Sequence, residues 1–314
     1  VHKLGNHLVG GVEPSAGSGG IAASDTERLD RFEAFVASLR TVFHRADQCL
    51  RFRAYLRGLI EPGGRKNVES IAASAAGLMM VEANLAQALQ HFISQSPWDS
   101  RRLLEAVRHK TCVRRRDPAA VWVVHDGAFA KKGVHSVGVH RQLDRAAGKK
   151  VNCQVGVFVS QLGPAGYFPL AAKLYLPAAW LKENEELAAK TIPEEDRQLR
   201  SKSEIAIALL DELKTEAAAL PVLAEAGYHS GGNFTDVLLQ RGYTVAPDDE
   251  TALNTSRARF DWLRSELGLD HFEGRTWHGW HHHVSMVITA YHLLASESET
   301  ADRPPFRSLP RSSL

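Results

Sequence analysis

From Asp25 to about Lys110 this chain follows a helical period, and at Asp117 its character changes to short runs of β-branched residues broken by further helices. In "SDTERLDRFEAFVASLRTVF", residues Leu29, Phe32, Phe35, Val36, Leu39 and Phe43 fall on one stripe, as an amphipathic helix requires. Ser24 or Asp25 is placed to cap it. "IEPGGRKN" (60–67) interrupts the pattern with a proline and two glycines, and helical spacing resumes near Val68. The spacing predicts an all-helical region over 25–117. Residues 1–24, with "PSAGSGG" at their centre, predict a flexible tail, and "ESETADRPPFRSLPRSSL" (297–314) predicts a disordered one.

Beyond Asp117 the periods shorten. "AVWVV" (120–124) reads as a buried strand running into His125 and Asp126. "HSVGVHRQL", "NCQVGVFVSQL" and "YFPLAAKLYLP" predict further strands, the last stopped by Pro177. "KSEIAIALLDELKTEAAAL" (202–220) predicts an amphipathic helix, "PVLAEAG" (221–227) a short strand, "NFTDVLLQRG" a helix ending at Gly242 and "YTVAP" a strand. Two more helices follow, over 252–267 and 277–296. This alternation predicts a mixed α/β core over 118–296, a sheet covered by helices.

The 314 residues are 44% hydrophobic and 24% charged, with a net charge of only +2, so no global basic field marks a nucleic-acid binder. Local basic clusters remain: Arg51, Arg53, Arg57, Arg65 and Lys66, and the run Arg114, Arg115, Arg116. They read equally as solvated faces and as DNA contacts. Cys49, Cys112 and Cys153 are odd in number and form no C-x-x-C pair, which argues against a disulfide framework or a cysteine-rich zinc site. A reducing, cytoplasmic setting fits them. No segment reads as a membrane span or a secretory start.

Several longer motifs stand in order: "YLRGLIEPGGRKN" (55–67), "HDGAFAKKGVHSVGVHRQ" (125–142), "GKKVNCQVGVF" (148–158), "LYLP" (174–177) and "LGLDHFEGRTWHGWHHHV" (267–284). Together they resemble bacterial insertion-sequence transposases of the DDE superfamily, over roughly residues 45–295. The resemblance implies a ribonuclease-H-like core, DNA as partner and metal-dependent phosphoryl transfer, with three carboxylates holding divalent ions, usually Mg²⁺. It also admits a homodimer. Carried over residue by residue, Asp126 matches the first aspartate, at the end of its strand. Glu225, in "AEAGY", stands where the family has the second aspartate, one methylene longer. The third position, a glutamate in the family, falls on Arg257, where a cation is repelled by a metal or must swing away. Asp261, one helical turn on, is the nearest local substitute. Glu273 belongs to the His-Phe-Glu-Gly-Arg motif and is not expected to be a ligand. The β-rich insertion that the family carries before the third carboxylate is reduced here to "DDETALNTS" (248–256).

Lys131, Lys132 and Arg264 are candidates for phosphate or DNA contact. His278, His281 and His282 have a spacing that binds zinc from one helix face, but the motif context favours packing and hydrogen bonding. Trp277 and Trp280 read as core. His125 and His229 flank the two acidic positions and offer general acid/base groups. The leading expectation is therefore a transposase homologue with impaired metal-dependent chemistry. The alternatives are a transposase fold redirected to metal-independent small-molecule acid/base catalysis on His125, Asp126, Glu225 and His229, and a minimal nuclease using Asp126, Glu225 and Asp261.

Overall fold

The computed structural model describes residues 25–75, 84–111, 117–144, 147–229 and 232–297. The tails expected at 1–24 and beyond Glu297, Cys112 and the arginine run at 114–116 lie outside the described residues.

Five helices open the described chain: α1 (Asp25–Ser38), α2 (Ala46–Ile60), α3 (Val68–Ala75), α4 (Leu85–Ser94) and α5 (Ser100–Thr111). Helix α2 buries Phe52, Tyr55, Leu56 and Leu59, one stripe at i, i+3, i+4 and i+7. It stops where Gly63 and Gly64 take φ of 78° and 71°, a left-handed conformation that side chains resist. The basic cluster here is largely neutralised. Arg51 pairs with Asp47 at 3.1 Å and Arg53 with Glu33 at 2.5 Å. Arg57 lies buried beside Glu61 at 3.6 Å, and Arg65 pairs with Glu273 at 2.7 Å.

The strands are β1 (Val121–Ala130), β2 (His140–Asp144), β3 (Lys149–Gly163), β4 (Gly166–Tyr175) and β5 (Val222–Ala224). β1 lies antiparallel to β3, with Asp126 opposite Val157, and parallel to β5, with Val124 opposite Ala224. β2 and β4 both pair antiparallel with β3, β2 along its first residues and β4 along the remainder. The result is a mixed five-stranded sheet.

Two predicted strands change. "HSVGV" is a turn: Val139 N–H donates to Ser136 O at 3.1 Å, Gly138 has φ 73°, and Val137 N–H goes to the distant Arg275 O at 3.0 Å. The strand begins only at His140. "YTVAP" contributes a single parallel bridge, Val245 to Val222.

Helices α6 (Ala178–Glu183) and α7 (Glu185–Thr191) follow β4 in a region not assigned from sequence. Then come α8 (Lys202–Glu216), α9 (Ala226–His229), α10 (Phe234–Gln240), α11 (Glu250–Ser265) and α12 (Trp277–Glu297). The strand predicted over 221–227 is thus three residues long, with α9 taking its last positions.

Helix α12 joins the two halves. Its Tyr291, Trp280, Val287 and Leu294 are buried, and one contiguous apolar core includes residues from α1 through α12 and the sheet. Its histidines bond outward on both sides. His283 Nδ1 meets Tyr55 Oη at 2.9 Å, and His292 bridges Thr111 Oγ1 at 2.7 Å and Pro169 O at 2.8 Å. Among the described residues, no helix is long and apolar enough to cross a membrane.

Candidate functional site

β1 is central in the sheet, with Trp122, Val123 and Val124 all buried. The parallel ladder continues one residue past β5, because Glu225 N–H donates to Val124 O at 3.0 Å. Asp126, in the middle of β1, and Glu225, just past the carboxyl end of parallel β5, therefore stand on neighbouring strands. Both line one cavity of about 300 Å³, together with His125, Asp144, Arg257, Phe260, Asp261 and Arg264.

Asp126 and Glu225 are both already engaged. The Asp126 side chain is only 10% exposed; Lys202 Nζ, from the start of α8, donates to its Oδ2. Tyr228, on α9, donates its hydroxyl to Oδ1 at 2.5 Å. The Glu225 side chain is 13% exposed, and its Oε1 accepts from Arg257 Nε at 2.9 Å. The same guanidinium uses Nη1 to reach Glu250 Oε1 and Asn254 Oδ1, each at 3.0 Å. Bonding to Glu225 and Glu250 raises the Arg257 pKa further above its ordinary value. Arg257 is thus turned into the site. A neighbouring carboxylate draws it in.

The other predicted residues divide between places. Asp261 is exposed and lines the cavity, as does Asp144 from the end of β2, which the sequence reading did not single out. Arg264 also lines it, but its Nη2 donates to Ala128 O at 2.5 Å and its guanidinium lies over the Phe129 and Phe260 rings. Much of its capacity is spent covering β1.

Lys131 and Lys132 line a second cavity, with Arg65, His135, Glu273 and Arg275. Lys131 Nζ donates to Phe272 O at 2.6 Å, and burial lowers its pKa. Glu273 stands in that second cavity, salt-bridged to Arg65 at 2.7 Å.

Of the four acid/base candidates, His125 lines the cavity with Asp126 and Glu225, and His229 does not. His125 is buried, stacked on Phe158 with ring centroids 5.5 Å apart, and burial holds its pKa below the usual imidazole value. His229 is exposed, turned toward Thr235 Oγ1 at 3.2 Å, and is not among the residues lining the cavity. The four-residue helix α9 keeps Tyr228 inward and carries His229 out.

His281 and His282 have both ring nitrogens occupied. His281 Nδ1 meets Trp277 O at 2.9 Å and its Nε2 accepts from Leu174 N–H at 3.3 Å. His282 lies 2.8 Å from each of Ile93 O and Trp98 O. His278 is exposed. Trp277 and Trp280 are core residues.

The residues present do not fit a divalent ion. A hard cation needs several free oxygen ligands, and here the first carboxylate accepts from a lysine and a tyrosine and the second from an arginine. Among the described residues, no group of three His, Cys, Asp or Glu side chains is placed to hold a metal.

A model of the DDE superfamily endonuclease family matches residues 38–247, which include β1 through β5 with Asp126 and Glu225. The chain belongs to that family. The match stops short of α11, which carries Arg257. No curated protein and no solved structure matches the chain.

Proposed function

We propose that the chain is an insertion-sequence transposase homologue, built on a ribonuclease-H-like core, whose carboxylate site does not carry out metal-dependent strand cleavage. The strand arrangement supports the fold reading: β4 and β1 flank β3 antiparallel, and β5 and the Val245 bridge continue the sheet in parallel. The short path from Val245 to Glu250, where α11 begins, supports loss of the β-rich insertion. Its loss removes substrate contacts with it. Family membership makes DNA the substrate class. The second cavity, with Lys131, Lys132, Arg65 and Arg275, offers basic groups for its backbone.

One observation carries the reading of impairment: the 2.9 Å bond between Arg257 Nε and Glu225 Oε1. Arg257 occupies the third ligand position and consumes the second ligand. A divalent ion about 4 Å from the guanidinium would be opposed by roughly 8 kcal/mol at an effective dielectric near 20. The half-exposed ion pair itself needs to contribute no more than about 1 kcal/mol for this to hold.

Calorimetric titration with Mg²⁺ or Mn²⁺ tests the reading. The wild-type chain is expected to give no saturable binding. Saturable wild-type binding that disappears in Asp126→Ala would overturn it.

A further inference from the structure

Arg257 bonds Glu225, and a second cation, Lys202, is fixed on Asp126 by its own local structure. Ser201 Oγ accepts from Glu204 N–H at 3.2 Å, and the Glu204 carboxylate accepts from Ser201 N–H at 2.7 Å. This reciprocal cap starts α8 at Lys202 and holds the lysine stem at the first helical position. From there Nζ reaches across to β1 and donates to Asp126 Oδ2, while buried Tyr228 directs its hydroxyl proton at Oδ1.

A divalent ion binds carboxylate oxygens at roughly 2.0–2.6 Å. An ammonium donating to the same oxygen stands in that shell, and two cations do not share it. On the opposite carboxylate, the Arg257 guanidinium takes the corresponding place.

We propose that Lys202 and Arg257 are the resident counter-ions of Asp126 and Glu225, so that each of these two carboxylates is matched by a cation without a metal and the pair is closed to divalent ions at two separate points. This rests on the reading of Arg257 above but makes its own claim: restoring the third carboxylate alone does not open the site. Lys202 acts here by holding Asp126, as a positioning residue.

Mn²⁺ binding, followed by the electron paramagnetic resonance signal of the free ion, separates the possibilities in the full chain. Arg257→Glu alone is expected to bind no more tightly than wild type. Lys202→Met with Arg257→Glu is expected to bind at least about tenfold more tightly than Arg257→Glu. Lys202→Arg with Arg257→Glu keeps the cation and is expected to stay with the single variant. Thermal unfolding provides an independent readout and a check on folding: Mn²⁺ raises the midpoint of the methionine double variant and leaves that of Arg257→Glu unchanged. Equal Mn²⁺ affinity in Arg257→Glu and the methionine double variant would overturn the role of Lys202 alone. Failure of the folded methionine double variant to gain Mn²⁺ binding would overturn it too. Tight Mn²⁺ binding by the wild-type chain, lost in Asp126→Asn, would overturn the reading beneath it.

Discussion

Truncation of Trp280 to alanine is expected to lower the stability of the chain by about 3–5 kcal/mol, the range for removing a large aromatic side chain from a core. Trp280 is 2% exposed and meets Phe129 edge-on at 5.7 Å and Phe158 at 6.3 Å. The sheet is shaped to receive it. A Cβ at Gly156 would stand 2.7 Å from the indole, so β3 leaves that position bare. The same aromatic layer reaches Phe260 on α11 through Phe158, at 4.8 Å, and so lies directly behind the cavity that holds Asp126. Urea denaturation followed by circular dichroism measures the loss. A change below about 1 kcal/mol would mean that α12 is not packed on the sheet as described.

Acid is expected to unfold the chain through α12, and His283 gives the clearest case. It is buried, its Nε2 donates to Gly268 O at 2.9 Å, and its Nδ1 accepts from the Tyr55 hydroxyl at 2.9 Å. The neutral ring satisfies both contacts. Burial pushes its pKa down to about 4, below the ordinary value of 6.5. The unfolded chain therefore binds the proton first. The stabilisation is complete above about pH 6.5 and is lost progressively as the pH falls toward about 4, amounting to roughly 2 kcal/mol by pH 5 and about 3 kcal/mol in all.

His282 differs. Burial also pushes it to about 4, yet both its nitrogens face carbonyl oxygens at 2.8 Å, and a neutral ring carries only one N–H. Its second carbonyl contact favours the protonated ring, against burial, so the acid sensitivity is argued from His283. Denaturant midpoints at pH 7.5 and 5 should fall more in wild type than in His283→Asn. Equal slopes in the two proteins would contradict the assignment.

The parts of the chain legible in the sequence were those set by local periodicity. The α2 stripe, the buried first half of β1 and the helix starting at Lys202 each follow from spacing that a few consecutive residues carry, although β1 runs past Asp126 to Ala130. "HSVGV" was misleading because its β-branched residues mimic a strand, while Val139 N–H closes a local turn onto Ser136 O and Val137 N–H goes to Arg275 O, more than a hundred residues away. "YTVAP" has strand composition, but it forms a single bridge, at Val245, through bonds of Thr244 O and Ala246 N–H to Val222.

The site was half legible. Asp126, Glu225, Arg257 and Asp261 do line one cavity, but family resemblance located them, and nothing local foretold that Arg257 bonds Glu225. Lys202 was missed, although its cap, Ser201 with Glu204, is readable as a helix start. What the sequence does not contain is the crossing that brings Lys202 to Asp126, 76 residues earlier. His229 failed for a related reason: a single turn, α9, decides whether it or Tyr228 faces inward.

The most direct test of the account is nicking of supercoiled plasmid DNA by the purified wild-type chain in Mg²⁺ and in Mn²⁺, with Asp126→Ala beside it. A two-metal site needs both ions held with the reacting oxygens in line, and a misplacement of about 1 Å already costs roughly a hundredfold. No nicking above the level of metal alone is expected, and no difference between the two proteins. Robust nicking by wild type that vanishes in Asp126→Ala would show that Arg257 and Lys202 yield to metal and that the site is a working nuclease.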